Sequence, residues 1–260
     1  MSELLDYTEV PYLQELLNYL PIEPDDGEDV GTYIQNVTNL IAVNYKYEQY
    51  QFAYFGIHLL YMTYIYSSIW KISKILPERY SDSIIFARPY RGRENDFNIS
   101  DVDSIFDYSL MPEKDIAKVF GIIDLHNSHI SSVGGIVDTR NDMAHASGKF
   151  EILTEDGFNI KTNAIVASMR NINRCMDKQI RSWFEKLLSD YCNDSFSDYE
   201  DEKDIIKEKM IQSFKLSVNE LLICNEMTVR NLITKYREFE PKLRKFKAAV
   251  TSYCDEFGYS

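Results

Sequence analysis

Between residues 4 and 20 the apolar positions Leu4, Leu5, Val10, Leu13, Leu16, Leu17 and Leu20 recur at the spacing of one helix face, with Pro11 starting or bending the helix. Pro21 to Gly27 interrupts the pattern. A second helix is predicted over 29–43 and a long one over 47–76, ended by Pro77. The long segment is apolar nearly all round, which predicts a central, buried helix.

Residues 80–112 carry Pro89, Gly92 and Pro112 and read as an irregular excursion with one short helix at 102–108. Loops of that length in compact domains often carry function. Helical spacing resumes at Ile116, Val119, Phe120, Ile123 and Ile130 and runs on towards His145, with Gly134 and Gly135 expected to weaken the helix or admit another backbone. Phe150, Ile152 and Leu153, then Asp156-Gly157, then Phe158 and Ile160, predict a small β-hairpin near 150–160 around a tight-turn dipeptide.

An amphipathic helix over 163–191 follows, using Ile165, Val166, Met169, Ile172, Met176, Ile180, Trp183, Phe184 and Leu187. The Asp/Ser/Asn-rich stretch 192–201 reads as a linker. Helices are then expected over 202–214, over 218–239 with a break near 224–227, and over 241–257, with Ser217 and Glu220 spaced as a capping box. The expected fold is all-α, long antiparallel helices with a small hairpin insertion and extra C-terminal helices. It divides into an N-terminal extension (1–45), a helical bundle (46–195) and a C-terminal helical segment (196–260).

Composition supports this reading, since 10 Gly and 7 Pro in 260 residues are too few for the turns of an all-β sandwich. The net charge is -13, and residues 1–45 hold nine carboxylates without one Lys or Arg, so this end repels phosphate backbones. Basic residues gather at Arg88, Arg91 and Arg93 in the excursion, and at Lys235, Arg237, Lys242, Arg244, Lys245 and Lys247 near the C-terminus, the latter read as a solvated helix face. The pair of short helices around 216–236 has a helix-turn-helix outline but lacks an Arg/Asn/Gln-rich recognition face. Residues 49–70 carry no charge and are long enough to span a bilayer, yet their tyrosines, His58, Gln49 and Gln51 would need partners in hydrocarbon, so a buried core helix and no membrane association are expected. Cys175, Cys192, Cys224 and Cys254 form no CxxC pair, and with no signal-like segment ahead of them the expected compartment is a reducing cytoplasm.

The candidate chemistry lies at 139–148, Thr-Arg-Asn-Asp-Met-Ala-His-Ala-Ser-Gly. Arg140 offers a permanent cation whose fork suits a phosphodiester, and His145 moves protons near neutral pH. Together they can promote RNA cleavage without a metal, the substrate's 2′-hydroxyl attacking the adjacent phosphorus while Asn141 contacts a phosphate oxygen or orients His145. At about 100° per residue, Arg140 and His145 lie roughly 140° apart on one helix, so they converge poorly within one chain. Two copies across a two-fold axis bring both residues into one groove, which makes a homodimer part of the expectation.

These residues, Arg140-Asn141-x-x-Ala144-His145 at the end of a long helix, resemble the R-x4-6-H motif of HEPN-superfamily ribonucleases. The resemblance implies a bundle of four or five helices, a dimer with a composite site, and metal-independent cleavage to a 2′,3′-cyclic phosphate. It also implies a place in toxin–antitoxin, abortive-infection or CRISPR-linked defence, with an antitoxin or defence protein as partner. Ser147 stands where the HEPN toxins silenced by nucleotidyl transfer carry tyrosine, so that regulation is not implied. The motif itself covers only 139–148, and the helices over 47–76, 113–146 and 163–191 fit the bundle in outline.

A plainer reading stands beside this one. Arg140 pairs with Asp138 or Asp142, His145 is a helix-end cation favoured by the macrodipole, Gly148 ends the helix, and the chain is a non-catalytic interaction subunit. For RNA contact the sequence offers Arg88, Arg91, Arg93 and Lys149, and also His129, which lies eleven residues before Arg140 and so almost whole turns away. His126 and His129 beside Asp124 have the spacing of two metal ligands but lack further ones, and no metal or other cofactor is expected. His58 reads as a hydrogen-bonded core histidine. No P-loop, Rossmann glycine pattern or Gly-x-Ser-x-Gly turn occurs.

Overall fold

The computed structural model describes residues 7–22, 29–84, 102–144, 152–228, 230–235, 237–256 and 258. Among them it is all-helical, and the one pairing of extended backbone is an isolated bridge between Pro21 and Ser217. After the short α1 (Leu13–Leu17) come α2 (Asp29–Lys46) and α3 (Tyr50–Ile75), joined by a turn in which Glu48 takes φ 59. Gly56 lets these two helices approach, because a Cβ there would collide with Ile41 Cγ1 and lie 3.0 Å from Leu40 Cδ2.

The uncharged stretch 49–70 is the centre of the molecule, buried almost without interruption from Gln51 to Ile72. Two of its tyrosines bury their rings and bond their hydroxyls to α7 (Glu155–Cys192). Tyr61 pairs with Ser168 Oγ at 2.8 Å, and Tyr64 donates to the Met169 carbonyl at 3.1 Å. Leu76 and Pro77 end α3, and Pro77 opens α4 (Pro77–Ile84) at its first turn, where a missing N–H costs nothing. No described helix is long and apolar enough to cross a membrane.

The hairpin expected near 150–160 does not form. Asp156-Gly157 lies in the first turn of α7, which runs 38 residues and begins at Glu155 rather than near 163. Thr154 caps it, accepting from the Gly157 amide at 3.2 Å, and Glu155 and Asp156 place carboxylates at the positive end of the dipole. Phe158 is fully buried against Tyr45 and Tyr50, while Ile160 is exposed, an arrangement set by tertiary packing rather than strand alternation.

The helix expected to run from Ile116 to His145 is broken in two. A four-residue α5 (Glu113–Ile116) passes into a 3-10 helix (Ala117–Ile123), Asp124 takes the left-handed conformation at φ 63, and α6 (Asn127–Ala144) starts afresh. Within α6, Gly134 and Gly135 admit no neighbouring backbone, since a Cβ on either would meet nothing within 4 Å. The excursion's short helix is a 3-10 turn over Ile105–Leu110 capped by Ser104 and Asp107.

The C-terminal part comprises α8 (Glu202–Ile205), continuing as π-helix to Ser213, then α9 (Val218–Glu226), α10 (Arg230–Lys235) and α11 (Glu240–Glu256). Ser217 and Glu220 form the expected capping box. Glu220 does more than cap, for its carboxylate also takes the Lys71 ammonium of α3 at 2.6 Å with both side chains fully buried. One hydrophobic core runs from Val10 to Cys254.

Candidate active site

Arg140 lies one turn before the C-terminal end of α6, 20° or so around the helix from His129 and on the border between its buried stripe of Val133 and Val137 and its open side. Neither Asp138 nor Asp142 pairs with it. Asp138 is taken by Lys114, and Arg140 instead donates from Nη2 to Glu113 Oε2 of α5 at 2.5 Å. The same carboxylate oxygen faces His58 Nε2 of α3 at 3.4 Å, so three helices converge on one charge. His58 is the buried, hydrogen-bonded histidine that the sequence suggested.

Burial opposes the charged form of Glu113, but the His58 ring and the Arg140 guanidinium outweigh it and hold the pKa below the ordinary carboxylate value. Glu113 is therefore an anion at neutral pH and a rigid anchor for the arginine. The guanidinium side chain remains 27% exposed. Its Nε is buried and without an acceptor. Among the described residues the guanidinium makes one bond, to Glu113, which leaves its exposed N–H donors for another acceptor.

Asn141, one position on, is half-buried and has turned about 100° away from the Glu113 side. His145 and Lys149 lie outside the described residues, as do Arg88, Arg91 and Arg93. His129 does not join Arg140 at Glu113. It lines a cleft of about 380 Å³ between α6 and α7 together with Thr139, Lys161 and Asn171, and its Nδ1 accepts from the Asn171 amide at 3.3 Å, which puts the ring proton on Nε2.

Among the described residues no three His, Cys, Asp or Glu side chains are grouped to hold a metal. His126 Nδ1 is occupied by Ser128 Oγ at 2.8 Å, and His129 Nδ1 by Asn171. All four cysteines are free, and burial pushes their thiols up, away from nucleophilic use. Glu113 was not singled out from the sequence. It lies 27 residues before its arginine, and such an ion pair leaves no periodic trace.

No family model matches the chain, nor does any curated protein or solved structure.

Proposed function

We propose that this chain is a metal-independent endoribonuclease of HEPN type, a toxin or antiviral defence effector working as a homodimer. Arg140 holds the scissile phosphate, His145 transfers protons as general acid/base, and Asn141 contributes a polar contact beside them. The substrate's 2′-hydroxyl attacks phosphorus, the P–O5′ bond breaks, and the products carry a 2′,3′-cyclic phosphate and a 5′-hydroxyl.

One observation carries this reading. An arginine anchored on Glu113, partly exposed and with donors unused among the described residues, stands one turn before the end of α6, five residues before a histidine. Anchoring by Glu113 removes side-chain freedom that phosphate binding would otherwise have to freeze. The test is cleavage of mixed RNAs in excess EDTA by wild type, Arg140→Ala and His145→Ala, with folding and dimerisation checked for all three. Cutting by wild type alone, with cyclic-phosphate ends, supports the reading, and cutting retained in both variants refutes it.

A second reading, a non-catalytic interaction subunit, draws on the apolar side chains left exposed on α2 and α3. Leu40 and Val43 of α2, Tyr47 in the turn after it, and Phe52 and Leu59 of α3 are 39–67% exposed, and the close approach of Leu40 to Gly56 joins the two rows. Under this reading Arg140 serves only to neutralise Glu113, and RNA stays intact in every arm of the experiment.

A further inference from the structure

The cleft between α6 and α7 mixes polar groups paired within the fold, such as Thr139 Oγ1 on the Gly135 carbonyl and Ser168 Oγ with Tyr61, with two, Tyr54 and Lys161, that have no partner among the described residues. Tyr54 of α3 lines it while being 1% exposed, and its hydroxyl has no hydrogen-bond partner among the described residues. The ring is sealed in the core, while the hydroxyl opens onto the cleft, where a ligand can reach it. Burial pushes its pKa up to about 12, which keeps it a neutral donor. Lys161 lines the same cleft with no carboxylate against it among the described residues. Gly135, Ala164 and Ala167 have no bulk to fill the space between the helices.

The polar groups have an order. His129 and Asn171 are bonded to each other at one end. Thr139 and Lys161 lie ten residues along from them, one up α6 and the other down α7, which at 1.5 Å per residue separates the two ends by about 15 Å. Arg140 is the next residue after Thr139, so the cationic end of the cleft adjoins the candidate active site. The opposite end presents a donor, His129 Nε2–H, beside an acceptor, the Asn171 amide oxygen, the combination that reads the hydrogen-bonding edge of an unpaired base. Between them Ile136, Ala164 and Ala167 offer apolar walls.

We infer that this cleft holds one nucleotide of an RNA strand, its phosphate at the Lys161 end beside Arg140 and its base at the His129–Asn171 end. The assignment rests on the ribonuclease reading and adds to it the side chains that seat the nucleotide flanking the scissile bond. Tyr54 completes its hydrogen bonding on the nucleotide, and Asn171 and His129 set base preference.

Calorimetric titration of the full chain with each of the four nucleoside 3′-monophosphates, and with inorganic phosphate as the probe of a bare anion site, tests it. At least one nucleotide is expected to bind about tenfold tighter than phosphate, with Lys161→Glu weakening it about tenfold or more through the lost charge. Ala164→Leu fills the cleft from an exposed helical position and abolishes binding. Phosphate binding as tightly as every nucleotide, or nucleotide binding unmoved by both variants, overturns the inference.

Cleavage kinetics on a short RNA separate this inference from the reading beneath it. Lys161→Glu is expected to raise KM with kcat nearly unchanged. Cleavage with wild-type KM in both variants overturns the cleft and leaves the ribonuclease standing. Mononucleotide binding that both variants abolish, with no RNA cut by wild type, keeps a nucleotide cleft and removes the ribonuclease.

Discussion

Glu113 and Arg140 stand 27 residues apart in the chain, yet the carboxylate of the first holds the guanidinium of the second at 2.5 Å. That contact fixes the one arginine of the 139–148 motif in place, and it makes the end of α6 dependent on a four-residue helix that precedes it.

Glu113→Gln keeps the shape and removes the charge, and is expected to cost about 1–3 kcal/mol in urea or thermal unfolding. The pH dependence has a definite sign. Because the folded-state pKa of Glu113 is lowered, its stabilisation is fully present above the unfolded-state value of about 4.3 and is lost as pH falls through the lowered value. The stability difference between wild type and Glu113→Gln therefore narrows below pH ~4. A difference that stays constant from neutral to strongly acid pH contradicts the charge assignment.

Arg140→Lys retains a cation but loses the planar fork. Single-turnover cleavage in EDTA is expected to fall about 10²–10³-fold, the loss typical of one transition-state donor. His145→Ala should fall about 10²–10⁴-fold with the fold unchanged by circular dichroism. Equal activity in Arg140→Lys and wild type would show that charge alone suffices.

Removing one partner of the buried pair between α3 and α9 strands the other. Glu220→Ala is expected to destabilise by about 3–5 kcal/mol, and Lys71→Met combined with Glu220→Gln to recover much of that while keeping the Ser217 cap. Additive losses in the double variant, measured by thermal unfolding, rule out the coupling.

Two glycines should respond in opposite directions. Gly56→Ala forces a methyl into Ile41 and is expected to cost about 1–3 kcal/mol. Gly134→Ala meets nothing and is expected to stabilise α6 by about 0.5–1 kcal/mol. Urea midpoints decide both.

The elements legible in the sequence were those whose signals are local and strong. The uncharged run at 49–70 announces a central helix, and Ser217 with Glu220 announces a cap. What escaped depends on distance. Asp156-Gly157 suits a hairpin as well as a capped first turn, and the choice is made by Phe158 packing under Tyr45 and Tyr50, more than a hundred residues earlier. The apolar spacing from Ile116 to Ile130 continues through Asp124, whose left-handed backbone ends the helix without disturbing the pattern. At the site, Arg140 was found by its motif but was given the wrong neighbours. Asp138 and Asp142 are close in sequence, and Glu113 is close only once α5 lies against α6.

The joining of Lys71 to Glu220 has a consequence for how the chain is made. A ribosome releases residues in order, so α3 exists long before its counter-charge does, 149 positions later. Until then the Lys71 ammonium cannot be desolvated without penalty, and the most apolar helix of the molecule has to wait with its surface uncovered. A residue far along the chain thus closes a core whose centre is written early, a non-local step of the kind that slows folding and exposes the nascent chain to association.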